Sequence, residues 1–118
     1  MPALQGALLS SERPRQSPPM FVHTVFFWMR EGSADAARRQ LVEDCKAYLG
    51  KIPTVRHIWA GRPAMTPRDV VDNSYDVGLT VVLDDAAGHD VYQAHELHVQ
   101  FIARNKPNWK RVQVYDFK

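Results

Sequence analysis

Tyr92, His95 and His98 recur at every third position of one short segment, Tyr92-Gln93-Ala94-His95-Glu96-Leu97-His98. If one helix runs through them, they lie along one side of it. Val91, Leu97, Phe101 and Ile102 supply apolar neighbours. An imidazole enclosed by apolar groups beside a phenol is equipped for acid–base work. The imidazole removes a proton, and the phenol donates to the carbonyl oxygen on which charge grows. Tyr92 and His98 carry this reading, because two polar tips in one helical segment are costly to bury without a use. His23 shares a strand face with Val25 and Phe27, by the two-residue period of strands. Taken alone, it reads as a hydrogen-bonded core group. No metal is expected. His95 and His98 would need further ligands, and the neighbouring extras, His89, Asp90 and Glu96, stand at generic spacing. Cys45 falls on the buried face of a helix and reads as a small core hydrophobe.

These residues need elements to position them. Phe21–Met29 is rich in β-branched and aromatic residues and reads as a strand. Both of its faces are largely apolar, so both are expected to be covered. Ser33 is expected to cap a first helix, in which Ala37, Leu41, Cys45, Tyr48 and Leu49 recur at helical spacing. Arg39 and Glu43 stand one turn apart on its outer face and can pair. Gly50 and Pro53 end that helix. A second strand is expected over Val55–Gly61, then a loop of roughly ten residues, long enough to be a functional segment. A third strand is expected over Tyr75–Leu83. A second helix, capped by Asp84 or Asp85, breaks and resumes before Pro107, and Trp109–Phe117 forms the last strand.

The order β-α-β-β-α-β is that of an α+β, ferredoxin-like split βαβ sandwich: a four-stranded antiparallel sheet with both helices on one face. Val22, Thr24, Phe26 and Trp28 would then line the other face. An apolar sheet face left in water is a large exposed patch, and a second copy of the same sheet is the simplest cover. A homodimer follows.

The chain has 118 residues, which is the size of one domain. Four of its eight prolines lie before Met20, in a segment also rich in serine. Residues 1–19 therefore read as a flexible leader and residues 20–118 as the folded domain. The leader lacks the charge order and apolar length of a signal peptide, and no apolar run is long enough to span a bilayer. A single cysteine excludes an intrachain disulfide and any four-thiolate metal site. A cytoplasmic protein is expected. The formal net charge of +2 makes nucleic-acid binding by bulk electrostatics an unfavoured function. The third strand also lacks the aromatic and basic residues with which RNA-recognition sheets stack bases.

Several segments carry a resemblance in their order and spacing: Val22-His23-Thr24-Val25-Phe26-Phe27, Ile52-Pro53-Thr54-Val55 with Ala60-Gly61, Tyr75-Asp76-Val77, the Tyr92-to-His98 stretch, and Tyr115-Asp116-Phe117. Together they resemble the stress-responsive A/B-barrel (Dabb) family over about residues 21–118. The resemblance implies a ferredoxin-like monomer and a dimer whose two sheets close into an α+β barrel. The family includes a plant polyketide cyclase. There, a histidine matching His98 is the base and a tyrosine matching Tyr92 assists an intramolecular aldol condensation. A histidine matching His23 shares the pocket, and a pocket tryptophan matches Trp109. The chain departs from the cyclase at Cys45, where that enzyme has a tyrosine. It departs again at Ile102, where a glycine stands, so a narrower cavity is implied.

The expected site therefore has His98, Tyr92 and His23 as catalytic groups. Its walls are expected from Val25, Phe27, Leu79, Val81, His95, Phe101 and Trp109. No cofactor is expected, and the ligand would be a small carbonyl compound. Two alternatives remain: a non-catalytic, stress-associated dimeric structural protein, and a ferredoxin-like monooxygenase needing little or no cofactor.

Overall fold

The computed structural model describes residues 20–118, so the proposed leader lies outside the described residues. Its elements are β1 (Phe21–Met29), α1 (Asp35–Ala47), β2 (Val55–Gly61), β3 (Val77–Leu83), α2 (Ala86–Ala94), α3 (Glu96–Asn105) and β4 (Trp109–Phe117). Short 3₁₀ turns at Leu49–Lys51 and Lys106–Asn108 lead into β2 and β4. The sheet order is β2-β3-β1-β4, and every neighbouring pair is antiparallel. This is the ferredoxin-like arrangement expected from the sequence. Among the described residues no helix is long and apolar enough to cross a membrane.

β1 alternates as its sequence requires. His23, Val25, Phe27 and Met29 are buried under the helices, while Val22, Thr24, Phe26 and Trp28 are only partly covered. β3 does the same with Val77, Leu79, Val81 and Leu83. Leu41, Cys45 and Phe101 close the core from the helix side. Asp44 is buried as well. It accepts from Arg104 Nε at 2.8 Å and from Asn105 Nδ2 at 2.9 Å, a polar pin between α1 and α3.

Four local expectations are corrected. Ser33 does not cap α1: Ala34 occupies the cap position without a side-chain bond, and the Ser33 carbonyl accepts from Arg38 instead. Arg39 turns back to Asp35 at 2.8 Å, one turn earlier, and not to Glu43. An acidic group in the first turn also suits the helix dipole. α1 ends at Ala47, before Gly50, because the chain tightens into the 3₁₀ turn that buries Leu49. β3 begins at Val77 and not at Tyr75, because Asp76 serves as a staple. Its carboxylate accepts from the Met29 backbone N–H at 2.7 Å and from Arg38 Nε at 2.9 Å. Asp85, the second of the two candidates, caps α2 by accepting from Gly88 N.

The sheet face away from the helices is aromatic. Phe26 packs edge-on against Tyr75, with ring centroids 4.8 Å apart, and Arg111 lies 4.2 Å over the Trp28 ring. Gly78 leaves room for this packing, since a Cβ there would lie 3.4 Å from both the Phe26 and Tyr75 rings. Trp59, Tyr115 and Phe117 on this face are each more than half exposed.

Burial works against ionisation of Asp76, but the Met29 N–H and Arg38 outweigh it and hold the carboxyl below its usual range. A depressed carboxylate stabilises the fold above its unfolded pKa, and the contribution is lost as pH falls through the folded value. Asp76→Asn should therefore cost about 1–3 kcal/mol at pH 7. The gap from wild type should shrink below about pH 4 in urea unfolding series. An equal gap at pH 7 and pH 3 would contradict the staple.

Candidate functional site

The break expected in the second helix falls at His95, between Tyr92 and His98. His95 takes an extended conformation, with ψ 144°, and its own Nδ1 accepts from the Leu97 N–H at 3.0 Å. His95 thus ends α2 and caps α3, a role usually taken by Ser, Thr, Asp or Asn. The break keeps Tyr92 and His98 together. Their rings meet edge to face with centroids 4.9 Å apart.

Both residues line a cavity of about 140 Å³ between the helices and the β1–β4 half of the sheet. His23, Val25, Phe27 and Leu79 form its floor, with Phe101 and Trp109 on its walls. Eight of the ten expected site residues are thus brought together. Two are not. His95 is spent on its cap, and Val81 lies fully buried in the core away from the cavity. Ile102 also lines the space.

Gln93, Val112 and Val114 are wall residues that the sequence reading missed. The two valines pair with Phe27 and Val25 across β1–β4, and only that register places them. They are 40% and 41% exposed, so the cavity opens along the β4 edge.

Asp116 was also missed as a site residue. It stands opposite His23 in the ladder, and its Oδ1 lies 2.6 Å from His23 Nδ1. That bond fixes the His23 ring on the cavity floor. His89 closes the group from α2, with its ring 4.8 Å from His23 and 6.1 Å from Tyr92.

Burial, then the nearby His23 and His89 rings, push the His98 pKa below the usual histidine range. Burial likewise raises the Tyr92 phenol, with a smaller push from Cys45. At neutral pH the site therefore holds a neutral imidazole, able to accept a proton, beside a protonated phenol, able to donate a hydrogen bond. Trp109 adds a buried indole N–H with no partner among the described residues. Cys45 is no nucleophile. Burial, reinforced by Asp44, drives its thiol up to about 12.

The comparisons with known proteins bear on the family and the fold. The model of the family described as "Stress responsive A/B Barrel Domain" matches residues 21–118. The chain belongs to the stress responsive A/B barrel (Dabb) family. Among solved structures, this A/B-barrel domain is similar to a Dabb-family protein of Mesorhizobium loti. The two are 26% identical with a TM-score of 0.69, over 84% of this chain and 95% of the other. It is similar in fold to a dimeric ferredoxin-like protein of unknown function from Thermobifida fusca, at 18% identity and TM-score 0.71, over 83% and 89% of the two chains. The Passiflora edulis hydroxynitrile lyase shares the fold at 13% identity and TM-score 0.71, over 85% and 93%. No curated protein matches.

The burial of His98 makes a direct prediction. In an NMR titration its ring should ionise below the ordinary histidine value of 6.5. Removing His89 should move it upward, because a like charge is removed. A value at or above 6.5 in wild type would contradict the enclosed site.

Proposed function

We propose that this A/B-barrel domain works as a homodimer. We propose further that each subunit's cavity binds a small carbonyl compound and acts on it through His98 and Tyr92. The carrying observation is the contact of the two side chains on the wall of a cavity, with burial keeping one a neutral base and the other a neutral donor.

The chemistry follows from those states. His98 takes a proton from a carbon flanked by carbonyl groups, and the C–H electron pair becomes an enolate. Tyr92 donates a hydrogen bond to the enolate oxygen. The enolate carbon attacks a second carbonyl, a C–C bond forms, and the new alkoxide takes back the proton held by His98. The His23–Asp116 pair holds the cavity floor in one arrangement. The cavity is small, about 140 Å³, and Ile102 is among its lining residues. A short substrate fits this cavity best.

That small volume also supports a second reading, in which the domain is a non-catalytic dimer and the polar pair is internal structure. A thermal-shift screen with short 1,3-dicarbonyls separates the two. A binder is stabilised by mass action, and a purely structural protein is not. With a responding compound in hand, His98→Ala should cut turnover about 10²–10⁴-fold. A change below about threefold would refute the assignment.

The dimer rests on the aromatic sheet face and on the dimeric neighbours of the same fold. Burying a large aromatic side chain contributes about 1.5–3 kcal/mol, and twofold symmetry counts each contact twice. In size-exclusion chromatography with light scattering, wild type should run as two chains, and Phe26→Glu should be insoluble or unfolded. A monomeric wild type at micromolar concentration, or a Phe26→Glu variant indistinguishable from it, would exclude this arrangement.

A further inference from the structure

We propose that His23, His89 and Asp116 form a binding site for one divalent first-row cation of the zinc class. Each residue offers one donor atom, and the three donors lie within 4.8 Å of one another. They come from three elements, β1, α2 and β4, so the fold and not local sequence assembles them. Tetrahedral coordination with bonds of ~2.0–2.1 Å sets donors ~3.3 Å apart. His23 Nδ1 and Asp116 Oδ1 stand 2.6 Å apart with a proton between them, so an ion would displace that proton and spread the pair, while the half-buried His89 ring turns in toward them. That ring is held in place by stacking on Phe21 at 4.6 Å and by Gln93, which lies 3.1 Å from its Nε2.

Two imidazoles and one carboxylate favour zinc, cobalt or ferrous ions over magnesium or calcium, which take oxygen ligands. Three protein ligands also leave a position for water or for an oxygen of a bound molecule, as in reactive rather than closed sites. His23 is shared between the cluster and the cavity floor, so a cation here sits beside the cavity. The inference does not depend on the acid–base roles of Tyr92 and His98.

The test titrates Co²⁺ alone into the tag-free protein and follows its visible absorption, with Zn²⁺ as competitor. One ion per chain should bind and be displaced by Zn²⁺. His89→Ala and Asp116→Asn should each weaken binding at least about tenfold. His57→Ala, on the opposite sheet face, should leave it unchanged. Circular dichroism confirms that the variants fold, and His89→Gln replaces His89→Ala if that one does not. No Co²⁺ spectrum up to millimolar concentration would overturn the proposal. Equal binding by the His89 variant would do so too, as would a site lost with His98→Ala but kept without His89.

Discussion

Everything in this fold depends on a central strand that is apolar on both sides. β1 sits between β3 and β4 and presents His23, Val25, Phe27 and Met29 to the helices. The alternate residues Val22, Thr24, Phe26 and Trp28 face the other way. Hydrophobic burial at ~25 cal/mol per Å² drives both faces toward cover. The helices α1 to α3 satisfy only one of them. The same alternation that builds the core therefore leaves an aromatic face in need of a partner. It also sets His23, the one polar member of the buried row, where a partner from β4 must meet it.

The second constraint is the interruption between α2 and α3. A continuous helix would place Tyr92, His95 and His98 in one row. His95 instead caps the next helix with its own ring. This turns the chain so that α3 brings His98 back against Tyr92 and sets Phe101 against Trp109. A histidine that looks catalytic by spacing is thus structural, and its structural role is what holds the reactive pair together. Burial then sets the protonation states: it disfavours charge on both groups, so one is a free base and the other an intact donor.

Much of this was legible in the sequence, for identifiable reasons. Strand parity places Phe26 and His23 on opposite faces whatever the details, and the β-branched, aromatic run marks β1. Helical spacing brings Tyr92 and His98 near each other even though the helix breaks. What escaped depends on register and competition. Asp116, Val112 and Val114 join the site only through the β1–β4 ladder, which no local pattern encodes. Val81 shares parity with Leu79 and pairs with His23, but it is fully buried among other core residues and does not reach the cavity. Ser33 was a good cap by type, but Arg38 engages its carbonyl and Ala34 takes the position. Tyr75 looked like strand, yet the strand begins only at Val77, and the carboxylate of Asp76 between them fastens β1 to α1.

The central claim is that the space beside Tyr92 and His98 receives a small carbonyl compound. Crystals of the protein soaked with a short 1,3-diketone test it at atomic level. The account requires density in the cavity, with one carbonyl oxygen within hydrogen-bond distance of the Tyr92 hydroxyl and the carbon between the carbonyls facing the His98 ring. A cavity filled by its own side chains, or a diketone bound only elsewhere, would contradict it.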